Sequence, residues 1–207
     1  MTAAEEALER LMKGNRDFVT VRSHERDLSL ERIEQLYEYG QNPFAVVVTC
    51  SDSRTVPEHM FMMGLGDLFV VRVAGNVIGP AELASVVYAC EHLEVNLVLV
   101  LGHTGCGAIQ ASFDAADRPS SAADALEVFS RGSAKDSAGV MAPLTHSILR
   151  AVGDERDPYQ ASVKNVRAGI ATLQACDEIK ACMERGLLVA GGIYHTHSGK
   201  VDFLARD

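Results

Sequence analysis

Two rhythms of apolar residues alternate along this chain. The runs Ala45-Val46-Val47-Val48 and Leu97-Val98-Leu99-Val100-Leu101 are short, continuous and β-branched, which is the pattern of strands buried on both faces of a parallel sheet. Strands are predicted over residues 44–49, 67–73, 95–101 and 187–194. Between them the spacing turns helical: a helix starts at Pro57, a residue suited to a first turn, others cover 81–93, 138–151 and 159–184, and one opens near Gly105. Ahead of the first strand, Leu8, Leu11, Met12 and Phe18 mark a helix over 4–19, and Leu30, Ile33, Leu36 and Tyr37 mark another over 29–39. Strand and helix in alternation predict an α/β fold with a mainly parallel central β-sheet flanked by helices and joined by right-handed crossovers. Val201 to Leu204, after the turn at Ser198-Gly199, reads as a C-terminal edge strand or hairpin. Residues 113–136 are rich in Ala, Ser and Asp and read as a surface excursion around a short helix at 122–130. The N-terminal helical arm, apolar on one face and attached to a single sheet, is expected to pack on a partner subunit. Met60, Phe61 and Met63 read as core or subunit interface.

Composition narrows the class. With 207 residues, 47% of them hydrophobic, the chain can bury one core, so residues 1–207 are read as a single domain. A net charge of −9 argues against nucleic acid or an anionic membrane as partner. No stretch approaches the roughly 20 apolar residues of a membrane span. Five cysteines, an odd number, without an apolar leader at the N-terminus read as reduced thiols and metal ligands of a cytoplasmic protein rather than a disulfide framework.

The chemistry concentrates at the ends of two predicted strands. Cys50-Ser51-Asp52-Ser53-Arg54 follows the first and His103-Thr104-Gly105-Cys106 the third, at the carboxyl edge where open α/β sheets hold ligands. If those strands are neighbours, about 4.8 Å apart, Cys50, His103 and Cys106 converge. Two thiolates and one imidazole leave the fourth position of a tetrahedral zinc open, the mark of a catalytic site. The start of a helix after Cys106 favours its thiolate. Alternation puts Asp52 and Arg54 on the same side as Cys50, so the guanidinium can hold the carboxylate ionised and aim it at a zinc-bound hydroxide.

These residues resemble the β-class carbonic anhydrases, from the N-terminal helices to the final strand. C-S-D-S-R at 50–54 and G-H-T-G-C-G at 102–107 carry the resemblance, with Gly66-Asp67-Leu68-Phe69-Val70-Val71-Arg72-Val73-Ala74-Gly75-Asn76 between them. It implies that Cys50, His103 and Cys106 bind Zn2+, one per subunit, and that Asp52 and Arg54 form the catalytic dyad. Three further positions are similar to pocket residues of the plant-type branch: Gln41 as a hydrogen-bond donor to substrate oxygen, and Phe69 and Tyr88 as apolar walls. The implied activity is reversible hydration of carbon dioxide to bicarbonate and a proton, by a homodimer or dimer of dimers. Two thiolates weaken the acidity of the metal, so activity is expected to rise toward alkaline pH. The chain departs from the family at Val73 and Val87, where Asn and Glu are common. Val47 replaces the Trp of the bicarbonate-gated branch, which argues against that clamp. His59, His92, His146, His195 and His197 are candidate proton relays or plain surface residues. Cys90, Cys176 and Cys182 read as structural.

Other readings are a carbonyl sulfide or carbon disulfide hydrolase of the same fold and a non-catalytic zinc-binding protein. A nucleotide-binding loop fits poorly, since Gly102 to Gly107 is not G-x-G-x-x-G. A redox protein lacks its C-x-x-C.

Overall fold

The computed structural model describes residues 1–20, 27–117 and 137–205. Its helices are α1 (Ala3–Thr20), α2 (Leu30–Tyr39), α3 (Pro57–Met60), α4 (Pro80–His92), α5 (Gly107–Ala116), α6 (Ser137–Val152), α7 (Pro158–Ala175) and α8 (Asp177–Glu184). The strands are β1 (Ala45–Thr49), β2 (Leu68–Arg72), β3 (Leu97–His103), β4 (Leu188–Tyr194) and β5 (Val201–Phe203), with a 3-10 turn at Ala74–Asn76. The expected short helix at 122–130 lies outside the described residues.

The strands form one sheet in the order β2-β1-β3-β4-β5. All pairings are parallel except β4 with β5, which closes the predicted hairpin. β1 and β3 are buried along their whole length, and period-two alternation divides their side chains between two cores. Val46, Val48, Val98 and Val100 pack with Val86 of α4, Val166 and Leu173 of α7 and Ile179 of α8. Ala45, Val47, Leu97, Leu99 and Leu101 pack on the other face with Leu11 of α1, Met60, Phe61 and Met63. Each such side chain contributes roughly 1.5–3 kcal/mol by leaving water. Close approach explains a glycine in β4: a Cβ on Gly191 would lie 2.8 Å from Ile170 Cδ1 and 2.9 Å from Val166 Cγ1.

One expectation needs correction. The single helix over 159–184 is two, because Cys176 takes an extended conformation (φ −74°, ψ 131°) and a new helix opens with Asp177 and Glu178 in its first turn. The N-terminal arm also divides. α1 is seated on this chain's own sheet, with Ala4, Ala7, Leu11, Gly14 and Asn15 buried; Asn15 donates to the carbonyls of Met60 (3.1 Å) and Gly199 (2.9 Å) and accepts from Val201 N–H (2.8 Å). α2 has no buried residue, and its Leu30 and Tyr37 are 77% and 91% exposed. Met60, Phe61 and Met63 are core. No helix among the described residues is long and apolar enough to cross a membrane.

β1 is followed by β2 on one side, and the chain then crosses to β3 on the other. That reversal opens a crevice at the carboxyl ends of β1 and β3, where doubly wound sheets bind ligands.

Candidate metal centre

Parallel pairing of β1 with β3 sets Thr49 opposite Leu101. Cys50 therefore leaves its strand beside the point where His103 ends the next. Cys106 follows through a turn in which Gly105 has φ +67°, a conformation that favours glycine, and it stands just before α5. The sequence thus places three donors by strand register and one tight turn.

Cys50, His103 and Cys106 are buried, and their ligand atoms all lie within 4.8 Å of one another. A tetrahedral zinc, with bonds of about 2.3 Å to sulfur and 2.0 Å to nitrogen, fits a donor set of this size and chemistry. The histidine gives an independent indication. Its Nδ1 is 3.0 Å from the Thr104 carbonyl oxygen, which fixes the proton on Nδ1 and leaves the lone pair on Nε2. Nε2 is fully buried and has no hydrogen-bond partner. Such an orphaned atom costs about 1–3 kcal/mol, and a metal bond would relieve it. Thr196 Oγ1 also donates to the Thr104 carbonyl (3.2 Å), so the β4–β5 turn supports the ring's anchor.

The two thiols share a hydrogen bond that favours the thiolate at Cys50. This bond from Cys106 is the largest cause, opposed by burial and aided by the N–H groups of Asp52 and Gly75, and it lowers the Cys50 thiol well below its ordinary value. The two amides lie 3.4 and 3.3 Å from its sulfur. The Cys106 thiol is pushed up, first by its bond to Cys50 and then by burial. The start of α5 acts as expected, since the N–H groups of Ala108 and Ile109 favour charge on Cys106 against the pull of Cys50 and burial. Ile109, Phe113, Ile148, Val152 and Ala161 enclose the two sulfurs in a third apolar cluster.

Asp52 and Arg54 form the expected pair. Arg54 Nε donates to Oδ1 (2.9 Å) and Nη2 to Oδ2 (2.7 Å), while the Arg54 amide adds a third bond to Oδ1 (3.0 Å). These bonds, the side-chain ones first, hold the Asp52 carboxyl far below the usual carboxylate range, against burial. Its Oδ2 stands 4.0 Å from His103 Nε2, at the edge of the donor set. Arg54 is itself tied to the Gly105 carbonyl (3.2 Å). An acceptor-only carboxylate beside three metal donors can take a hydrogen from an oxygen bound between them.

The three pocket positions lie elsewhere. Gln41 is exposed ahead of β1, so the whole strand, about 17 Å, separates it from Cys50. Phe69 pairs with Val46, roughly 13 Å back along the sheet from Cys50. Its ring is 6.2 Å from that of Tyr88, which is 47% exposed on α4. The fold brings Phe69 and Tyr88 together, away from the donor set of the same chain. Two residues that sequence reasoning did not single out for the site reach its backbone: Arg72 and Thr55 both donate to the carbonyls of Cys50 and Asp52. The advance signals for Arg72 were its place at a strand end and within the Gly66–Asn76 segment that carries the resemblance.

A family profile described as carbonic anhydrase matches residues 45–201. A carbonic anhydrase of Mycolicibacterium smegmatis is 37% identical over 200 residues, spanning 93% of this chain and 89% of the relative. Among solved structures, the β-carbonic anhydrase CcaA superposes with a TM-score of 0.64 at 28% identity, covering 98% of this chain and 93% of the other. A structure of tetrameric β-carbonic anhydrases from Sordaria macrospora gives 0.63 at 27% identity, with 86% and 88% covered.

Proposed function

The chain belongs to the β class of the carbonic anhydrase family, and from that premise we propose that it hydrates carbon dioxide reversibly to bicarbonate and a proton, with one zinc ion per subunit held by Cys50, His103 and Cys106. The observation that carries the reading is the buried, unpartnered Nε2 of His103 facing two buried sulfurs beside an ionised carboxylate. When bound, zinc acidifies water so that a nucleophile is available near neutral pH.

The chain's own residues supply the direction. Asp52, held ionised by Arg54, only accepts hydrogen bonds. A nucleophilic oxygen that keeps one hydrogen can donate it to Oδ2, which turns a lone pair toward the carbon of the substrate. Arg54, whose Nη2 donates both to Asp52 Oδ2 and to the Gly105 carbonyl, keeps the carboxylate from swinging. The apolar cluster behind the sulfurs excludes bulk water, which strengthens each of these bonds.

Gln41, Phe69 and Tyr88 enter this reading as pocket residues delivered by a second copy of the chain. β2 is an edge strand, and such an edge offers unpaired backbone groups to a partner. Phe69 lies on that edge with Tyr88 beside it, and α2 leaves Leu30, Ile33 and Tyr37 exposed. A homodimer or dimer of dimers follows, in keeping with the tetrameric Sordaria macrospora relatives. Residues 1–207 act as one domain. The five cysteines, all free thiols, suit the reducing cytoplasm.

Stopped-flow hydration of carbon dioxide by metal-quantified protein at mildly alkaline pH tests the proposal. A fast zinc-dependent rate is expected, with Asp52→Asn losing about 10²-fold or more while keeping its zinc. Stoichiometric zinc without hydration, but with sulfide release from carbonyl sulfide, would reassign the site to the related hydrolase chemistry.

A further inference from the structure

Beyond the metal donors and the Asp52–Arg54 pair, one side chain holds both functional segments of the first loop. Arg72 ends β2 in register with Thr49, the last residue of β1, so its guanidinium emerges where the Cys50 loop begins. Its Nη2 donates to the Asp52 carbonyl at 2.7 Å and its Nε to the Cys50 carbonyl at 3.3 Å. We propose that Arg72 is a positioning residue for the hydration step, its two-pronged grip on these carbonyls setting Asp52 relative to the metal donors; this rests on the zinc reading above.

The loop shows why such a grip is needed. Cys50 is still fastened by the sheet, since Ser51 N–H reaches the Val73 carbonyl (3.2 Å) and Val73 N–H the Thr49 carbonyl (3.1 Å). Asp52 lies past that ladder. On the inner side its carbonyl is held by Thr55, through the hydroxyl (2.8 Å) and the amide (2.9 Å). The Thr55 hydroxyl also lies 2.9 Å from the Cys50 carbonyl, but it has one hydrogen and serves one carbonyl at a time. Arg72 serves both at once. Thr55 is buried and Arg72 exposed, so the loop is gripped from the core and from the solvent side. The shorter Arg72 bond is the one to Asp52, so loosening it acts chiefly on the aspartate and spares the donor set. A lysine has the charge without the planar fork and cannot reproduce the double bond.

The test compares Arg72→Gln and Arg72→Lys with wild type, alone and combined with Asp52→Asn. Both single variants should lower kcat by about 10-fold or more with KM within about 2-fold, the cost of a misplaced group. Zinc content and the thiolate charge-transfer spectrum of the cobalt-substituted protein should stay as in wild type. The amides of Arg54 and Thr55 should exchange with deuterium faster. In the Asp52→Asn background, Arg72→Gln should add less than about 2-fold, because the two residues act through one bond network. The proposal is overturned if Arg72→Lys matches wild type, if the factor is the same in both backgrounds, if amide exchange is unchanged, or if metal and fold are lost together. If wild type holds zinc yet hydrates no carbon dioxide, the zinc reading fails and the positioning role falls with it, whatever exchange shows. A wild type that hydrates normally confines any failure to Arg72.

Discussion

At the scale of single residues, the site is an arrangement of deliberately incomplete bonds. His103 is wholly buried with one nitrogen satisfied by the Thr104 carbonyl and the other facing two sulfurs without a partner. Chelating the metal should return that penalty to the protein. Because zinc binds the native state and an unmade buried bond costs about 1–3 kcal/mol, the melting temperature should fall by at least about 2 °C on metal removal. Differential scanning calorimetry with and without a chelator measures this; no change would mean that the trio holds no metal. The thiols provide the matching control. Cys50→Ser and Cys106→Ser should reduce bound zinc well below one per chain, while Cys90→Ser, whose thiol is pushed up to about 12 mainly by burial, should leave zinc unchanged. Elemental analysis of the purified variants decides it.

At the scale of elements, the β4–β5 hairpin supports the site from the side, since its turn supplies Thr196 to the Thr104 carbonyl. It is fastened by Asp202, which accepts from Lys200 at 2.7 Å and lies 2.8 Å from His195 Nε2. Lys200 first and His195 second lower the Asp202 pKa. A carboxyl whose folded pKa is depressed stabilises the fold above its unfolded value near 3.9, and that contribution is lost as pH falls through the folded value. Asp202→Asn should therefore melt lower than wild type at pH 7, by at most about 3 °C for so exposed a pair, and the two curves should converge as pH falls below the unfolded carboxyl value near 3.9. Thermal melts across pH check both sign and window. The elements themselves were legible in the sequence wherever one physical signal dominated. Val46 to Val48 and Leu97 to Leu101 could only be buried strands, and their shared edge gave the three donors and the Asp52–Arg54 pair. Local pattern could not show the break at Cys176, because the helical spacing of 159–184 runs straight through it and only Asp177 and Glu178 hint at a new start. Nor could it show that Arg72 and Thr55 grip the same carbonyls, since those bonds depend on strand register and backbone direction rather than residue type. Phe69 and Tyr88 do stand side by side, yet their distance from the donor set follows from the order of strands, which no motif states.

At the scale of the whole molecule, the distances within one chain lead to a prediction about two. Gln41 stands at the opposite end of β1 from Cys50, and Phe69, half-buried against the Val46–Val48 side of its own core, lies on an edge strand. If these residues serve catalysis, the site they serve belongs to a partner. Subunit complementation separates that arrangement from a pocket built within one chain. Gln41→Ala and Asp52→Asn should each impair the homo-oligomer, for different reasons. In a mixed dimer made by co-expressing the two, the chain bearing Gln41→Ala keeps its own Asp52 and receives an intact Gln41 from its neighbour, so one complete site is restored. Random pairing with two-fold symmetry puts one such site in half of the dimers, and activity should return to about a quarter of wild type. A pocket completed within one chain cannot recover in this way, since each mutant chain would carry its own defect into every pairing. Hydration rates of the mixed and separate preparations at equal zinc content therefore decide whether the exposed edge of β2 and the bare face of α2 are surfaces through which one subunit finishes the active site of another.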